Sequence, residues 1–287
     1  AEEPRPGLNP AAACQGGGVS PVIAYNALMK IASWNVNSLK VRIPHLTQWL
    51  ADAQPDVVAL QETKLEDHKF PVDELAAAGY RAVFSGQKTY NGVALLARAD
   101  LKGEFEDVVT DIPNLDDPQR RILAATIGGV RVVDLYVVNG KAVGDEKYAY
   151  KLDWLAKMRE FLAREIERHP KLVVLGDFNI APDDRDVYDP VAWGEDILCS
   201  PPEREALKRI TDLGLHDSFR LFEPAGEHFS WWDYRQAAFR RNMGLRIDLI
   251  LIGDALKSAA KTASIDRTPR TWERPSDHTP VTVDLDI

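Results

Sequence analysis

Leu172-Val-Val-Leu-Gly-Asp-Phe-Asn179 decides the reading of the whole chain. Four apolar residues in a row do not suit a strand with one wet face; they belong to a strand covered on both sides. The run then meets Gly176, a carboxylate at Asp177 and an amide at Asn179. α/β sheets build their chemistry from polar groups held rigidly at such strand ends. The pattern occurs twice more. Lys30-Ile-Ala-Ser-Trp-Asn35 runs out in an amide, and Asp56-Val-Val-Ala-Leu-Gln-Glu62 in a carboxylate.

Around these strands the chain alternates strand and helix from Met29 onward. Ile43, Leu46, Trp49 and Leu50 share a helical face before Pro55, and Leu152, Leu155, Met158, Leu162 and Ile166 form a longer one that stops at His169-Pro170. Residues 92–98, 121–127, 130–138, 245–252 and the alternating Val281, Val283 and Leu285 read as further strands. Residues 181–205, rich in Pro, Asp and Glu, read as one long functional loop. So many strands with so few helices point to two sheets packed face to face with helices outside, in one domain over residues 29–287. Residues 1–28, dominated by Ala, Gly and Pro, read as a disordered leader or an expression remnant.

Composition narrows the class. A hydrophobic share of 45% with 28% charged residues is that of a soluble globular protein, and no apolar run approaches the roughly 20 residues that span a bilayer. The two cysteines, Cys14 and Cys199, read as free thiols in a reducing cytoplasm. The net charge of -9 argues mildly against nucleic acid, although what binds phosphate is a local patch. Such a patch is present: Phe229-Ser-Trp-Trp-Asp-Tyr-Arg235 is followed by Arg240, Arg241 and Arg246. Interleaved aromatics and arginines suit stacking and phosphate neutralisation, and Lys64, Lys88 and Arg120-Arg121 extend the set. An aromatic core segment flanked by solvated charge is the plain alternative.

Three groups carry chemistry. Glu62, Asn37 and Asp277 are hard-oxygen donors suited to Mg2+ or Mn2+. Asp177 is placed to orient or deprotonate water, with Asn179 pointing the same way, although Gly-Asp also makes ordinary turns. Asp248 interrupts the apolar run Ile247–Ile252, where an unpaired charge is costly. His278 would relieve that cost and gain a fixed tautomer, so the two are expected to pair. Tyr136 closes its strand just before Asn139-Gly140 and is either a half-buried strand aromatic or a phosphate donor.

Trp34-Asn-Val-Asn37, Leu60-Gln-Glu-Thr-Lys64, Tyr136 with Asn139, Gly176-Asp-Phe-Asn-Ile180, Phe229–Arg235, Gly244-Leu-Arg-Ile-Asp248 and Ser276-Asp-His278 stand in this order. Together they resemble the exonuclease III family of apurinic/apyrimidinic (AP) endonucleases, within the endonuclease/exonuclease/phosphatase superfamily, over nearly all of residues 29–287. The resemblance implies a DNase I-like fold, a four-layered α/β sandwich with two mixed sheets. It implies Mg2+ held chiefly by Glu62, with Asn37 and Asp277 nearby and Mn2+ as a substitute. Asp177 would hold the water, Asn35, Asn179 and Tyr136 the phosphate, and Asp248–His278 would support the transition state.

DNA contacts would come from Lys64, Arg120, Asn139, Arg235, Arg240 and Arg241, with Trp231, Trp232 and Leu245 lining a pocket for an abasic sugar. The implied reaction is cleavage 5′ to abasic sites in duplex DNA, leaving a 3′-hydroxyl, together with clearing of blocked 3′ ends and some 3′-5′ exonuclease action. The expected protein is a cytoplasmic monomer without a membrane partner. Residues 85–92 and 116–121 look most like the bacterial AP-endonuclease branch and less like the exonuclease-only branch, a 3′-5′ exonuclease with little AP-endonuclease activity being the alternative within the family. Val138 stands where the family often has proline, Asn37 where some relatives have Asp, and residues 191–200 lack asparagines that some relatives place there. Two other readings share the superfamily's fold: a lipid or inositol phosphatase, and a non-catalytic RNA-binding regulator. The arginine–aromatic segment opposes the first, and the presence of Glu62, Asp177, Asn179, Asp248 and His278 opposes the second.

Overall fold

The structure, a computed structural model, describes residues 28–113 and 115–287. Apart from Leu28, the expected leader lies outside the described residues, as does Cys14. Twelve strands are present among the described residues: β1 (Met29–Asn35), β2 (Val57–Gln61), β3 (Tyr80–Ser85), β4 (Val93–Arg98), β5 (Glu106–Val109), β6 (Ile122–Ile127), β7 (Val130–Tyr136), β8 (Leu172–Asp177), β9 (Leu215–Asp217), β10 (Asp248–Gly253), β11 (Ala260–Ile265) and β12 (Val281–Leu285). They form two six-stranded sheets, ordered β11-β12-β1-β2-β4-β3 and β5-β6-β7-β8-β10-β9. Each sheet has one parallel pair at its centre, β1 with β2 and β7 with β8, and antiparallel neighbours elsewhere.

Strand alternation sorts the side chains into layers. Ile31, Val57, Ala59 and Leu95 of the first sheet pack between the sheets against Leu123, Val132, Val173, Leu175 and Ile250 of the second. The next residues along, Ala32, Trp34, Val58 and Leu60, face outward onto α1 (Leu39–Ala53) through Leu46, Trp49 and Leu50. On the far side Val133, Leu135, Val174, Leu249 and Leu251 face outward in the same way. They meet Trp154, Leu155, Met158, Phe161 and Leu162, and also Leu207 and Ile210. The remaining helices are α2 (Val72–Ala77), α3 (Glu146–Arg168), α4 (Pro190–Trp193), α5 (Pro201–Thr211) and α6 (Asp254–Lys257), so α3 and α5 supply that outer layer. The order helix, sheet, sheet, helix is the four-layered sandwich expected from sequence.

One polar group sits between the sheets. The Gln61 amide donates to Asp134 Oδ1 (2.7 Å) and Ser33 Oγ (3.0 Å), all three residues being fully buried. Burial pushes the Asp134 carboxyl well above its ordinary range, only partly offset by the Gln61 bond. This triad fixes the residue immediately before Glu62.

Three expectations require correction. Residues 181–205 are not one loop: they contain a 3-10 turn at Asp184–Asp186, then α4, and α5 begins at Pro201. Ser200 caps α5 in a box with Glu203, so the prolines after it mark a helix start. The strand expected at 245–252 begins only at Asp248. β3, β5, β9 and β11 were not foreseen; β9 is three residues long, and β5 and β11 are largely exposed with no clean apolar alternation.

Gly176 lies within β8 at φ +140°, where a β-carbon would come 1.9 Å from the Leu135 carbonyl oxygen of β7. Only glycine lets the two parallel strands close at that point. Gly176→Ala is expected to destabilise the protein by about 3 kcal/mol or more, lowering the melting temperature by roughly 6–12 °C; an unchanged calorimetric melt would contradict this account of the strand end.

Candidate active site

The two parallel pairs end side by side, and their last residues meet across the gap between the sheets. Asn35 closes β1, Glu62 follows β2, Tyr136 closes β7 and Asp177 closes β8. Asn35 is fully buried, and its Nδ2 donates to Glu62 Oε1 (3.0 Å) and Asp177 Oδ2 (2.9 Å). One amide thus joins a carboxylate of each sheet. Its Oδ1 accepts from the backbone N of Asn37 (3.0 Å).

The chain turns sharply here. Asn37, Ser38, Glu62, Lys64 and Asn179 all have positive φ, between 43° and 85°, a region non-glycine residues seldom occupy. Backbone bonds hold these turns: Ser38 N donates to Glu62 O (2.7 Å), and Lys64 N to Asn91 O (2.9 Å).

Asp177 is buried and held from three directions. Besides Asn35, Asn179 donates its backbone N to Oδ1 (2.9 Å) and its Nδ2 to Oδ2 (3.2 Å). Asn139 in turn donates to Asn179 Oδ1 (3.1 Å). His278 Nε2 lies 3.7 Å from Asp177 Oδ2, and its Nδ1 donates to Asp248 Oδ2 (2.9 Å). The Asp248–His278 pair anticipated from the interrupted apolar run is therefore present. Ser230 Oγ accepts from the backbone N of Asp248 (3.0 Å), and Ser276 Oγ ties the histidine turn to Asn35 O (2.7 Å).

Electrostatics follow from this crowding. Burial raises Asp177 to about 7, His278 opposes that rise, and Asp248 and Glu62 add to it. Burial by itself would lower His278, but Asp248 and Asp177 outweigh it and raise the imidazole to about 10. Burial would likewise raise Glu62; Lys64, whose Nζ lies 2.7 Å from Oε2, and the Asn35 bond overcome it and hold Glu62 below its ordinary range. Burial, with Glu62 and Asp177 in addition, keeps the Tyr136 phenol protonated, and the Arg121 guanidinium lies 4.7 Å over its ring.

Glu62, Asp177 and His278 each offer a donor atom, all within 4.8 Å of one another. The two carboxylates are hard oxygen donors suited to a divalent cation such as Mg2+ or Mn2+, and His278, its pKa raised against burial by Asp248 and Asp177, stands beside them as a hydrogen-bond donor. Asp277 is not in that group, and Asn37 is bonded to it. Asn37 donates to Asp277 Oδ1 (2.9 Å) and accepts from Lys64 Nζ (2.5 Å), while Trp231 Nε1 donates to Asp277 Oδ2 (3.0 Å). As placed, they form a hydrogen-bonded rim. Asn35 also differs from expectation, because its amide faces the two carboxylates and not an open phosphate position.

The expected DNA contacts divide. Arg235, Arg240, Arg241 and Asn139 are exposed, Lys64 and Trp231 are half-buried, and Arg120 pairs with Asp111 (2.9 Å). Trp232 and Leu245 do not line an open pocket. Trp232 is enclosed with Phe229 and Ala238, and Leu245 with Ala181, Val187, Leu198 and Ile247. Sequence reading missed Ser230 as the holder of Asp248; its place inside the aromatic motif gave no separate signal. A cavity of about 490 Å³ lies away from these residues, between α3 and α5.

Comparison with known proteins agrees with this geometry. Residues 32–278 match the Endonuclease/Exonuclease/phosphatase family. Exodeoxyribonuclease III of Haemophilus influenzae is 36% identical over 265 residues, covering 88% of this chain and 98% of that protein. Among solved structures, the 3′ phosphatase NExo from Neisseria, bound to a product DNA hairpin, has a TM-score of 0.88 at 50% identity over 90% of this chain and all of that one. An AP endonuclease from Archaeoglobus fulgidus has a TM-score of 0.85 at 35% identity with the same coverage.

The His278 shift has a consequence for stability. Its folded pKa, about 10, exceeds the ordinary 6.5, so the pair's stabilisation is complete below about pH 6.5 and is lost as pH rises through about 10. In metal-free buffer, Asp248→Asn is expected to lower unfolding free energy by about 3 kcal/mol at pH 6, with the gap to wild type closing by about pH 10.5. Urea unfolding across that range measures it, and a pH-independent gap would contradict the pairing.

Proposed function

The chain belongs to the endonuclease/exonuclease/phosphatase family and is a nuclease of the exonuclease III/AP-endonuclease type, and from that premise we propose that it is a Mg2+-dependent hydrolase of DNA 3′ ends. It would remove 3′-phosphates and 3′-terminal nucleotides. The observation that carries this is the convergence of Glu62, Asp177 and His278 within 4.8 Å at the sheet ends. Preference for 3′ ends rests on the 50% identity to a 3′ phosphatase and on the enclosure of Trp232 and Leu245, which leaves those two side chains no part in a sugar pocket.

The chemistry is one reaction with one leaving group, the DNA 3′-oxygen, and only the substituent that stays on phosphorus differs. Water attacks phosphorus, the P–O3′ bond breaks, and a 3′-hydroxyl departs. Glu62 would hold a divalent cation; when bound, Mg2+ or Mn2+ supplies Lewis-acid neutralisation of the phosphate. Asp177, fixed by Asn35 and Asn179, orients the attacking water and takes its proton, a contribution typically worth about 10²–10⁴ in rate. His278, protonated and anchored on Asp248, donates from Nε2 to a non-bridging phosphate oxygen as charge grows there. The protonated Tyr136 phenol is a second donor. Arg235, Arg240 and Arg241 would neutralise the DNA backbone.

Incision 5′ to an abasic site is the second reading. Trp231 favours it: it is half-buried, bonded to Asp277 and paired through its backbone with both Leu245 and His278, so its ring borders the reacting position. A base-free sugar leaves the stack at less than the few kcal/mol a normal nucleotide requires.

One panel tests both readings. End-labelled hairpins carrying a 3′-phosphate, a recessed 3′-hydroxyl or an internal abasic analogue are incubated with Mg2+ or with EDTA. The 3′-phosphate is expected to react fastest, EDTA to abolish all activity, and Glu62→Gln and Asp177→Asn each to lower kcat by about 10²–10⁴. Fastest cleavage at the abasic analogue would favour the second reading, and full activity in Asp177→Asn would overturn both. Trp231→Ala is expected to reduce abasic incision about tenfold more than 3′-phosphate release; equal losses would remove Trp231 from sugar recognition.

A further inference from the structure

Lys151 is an ammonium group with no access to water. It sits on α3, fully buried, beneath the turns that follow β7 and β8. Lysines are almost never wholly buried unless every proton finds a partner. Here Nζ donates to Asn179 O (2.7 Å), to Asn139 O (3.1 Å) and to the Glu203 carboxylate of α5. Glu203 is equally buried, and its oxygens also accept from the backbone of Leu198 (3.2 Å) and Ser200 (3.1 Å). All three ammonium protons and both carboxylate oxygens are therefore engaged.

Two of the three acceptors matter for chemistry. Asn179 and Asn139 belong to different turns, and their side chains form the relay Asn139 to Asn179 to Asp177. Asn179 also has a left-handed backbone at φ 48°, a conformation that persists only where its surroundings enforce it. The lysine grips that residue's carbonyl from below while Asp177 takes its N–H from above. Next to Asn139, Gly140 at φ +93° leaves room for the lysine stem, since a β-carbon there would lie 3.1 Å from Lys151 Cδ. Burial pushes the pKa of Lys151 down, and Glu203 opposes that shift.

We infer that Lys151, with Glu203, is a positioning residue for the phosphate-hydrolysing site: it clamps the Asn139 and Asn179 turns together and so sets the direction of the Asp177 carboxylate. The inference rests on the proposed roles of Asp177 and Asn179. It acts through two carbonyls, touching neither substrate nor cation. An apolar replacement would free both turns and let Asp177 drift, and misplacement of about 1 Å is enough to lower turnover about 10²-fold. DNA affinity, set by the exposed arginines, would be unaffected.

Two variants test this. Lys151→Met is close in length but has no donors; Lys151→Met/Glu203→Leu removes the carboxylate that the first variant leaves unpaired. Kinetics use the full chain with Mg2+ and the 3′-phosphorylated hairpin, and circular dichroism gives the folded fraction of each sample. The expected result is a fall in kcat of about 30- to 100-fold per folded molecule, with KM within about twofold of wild type. An unchanged kcat in folded protein would overturn the inference. So would a loss that merely tracks the folded fraction in both variants, since Lys151 would then serve stability alone. If wild type itself fails to hydrolyse the hairpin while Lys151→Met remains folded, the proposed activity has failed and the clamp loses its purpose with it.

Discussion

One side-chain amide holds the architecture to its chemistry. Asn35 gives hydrogen bonds to Glu62 from the first sheet and to Asp177 from the second, both near 3 Å. Two carboxylates this close repel, and only a donor with two N–H groups, a cation or a proton reconciles them. The arrangement works only if the central parallel pairs of both sheets end at the same level. Gly176 allows β8 to close on β7, and the Ser33–Gln61–Asp134 triad fixes the strand that leads to Glu62.

Around that bridge the molecule concentrates features that most folds avoid. Left-handed non-glycine residues, buried carboxylates, a charged histidine and a buried lysine lie within a few turns of one another. Each is costly alone, and each is offset by a specific partner: Asp248 for His278, Lys64 for Glu62, Glu203 for Lys151. Fixed partners mean that donors and acceptors already point at the reacting position, so little reorganisation is required when charge develops there.

Much of this was legible in the residues. Leu172–Leu175 could only be a doubly covered strand, and a polar ending on it implied a site. Asp248 within an apolar run implied a partner, and His278 stands against it. The two-sheet sandwich followed from strand number and from runs whose successive residues serve different layers. Composition could not separate a pocket wall from a core. Trp232 and Leu245 carry the same apolar side chains in either role, and only the packing of Phe229, Ala238 and Val187 around them decides. The start of α5 was hidden by two prolines that resemble a loop but occupy its first turn. Lys151 left a signal that went unread: residues 151, 155, 158 and 162 share one helical stripe, so a lysine stood where the pattern demanded a buried residue.

Diffraction at the manganese absorption edge, on crystals of the protein with Mn2+ and a 3′-phosphorylated DNA hairpin, tests the central claim most directly. The account predicts one anomalous peak bound by Glu62 and a phosphate oxygen, with the Asn35–Asp177 hydrogen bond kept and Asp177 contacting the water in line with O3′. A phosphate bound away from Asp177, or an ion that displaces Asn35 from between the two carboxylates, would contradict it.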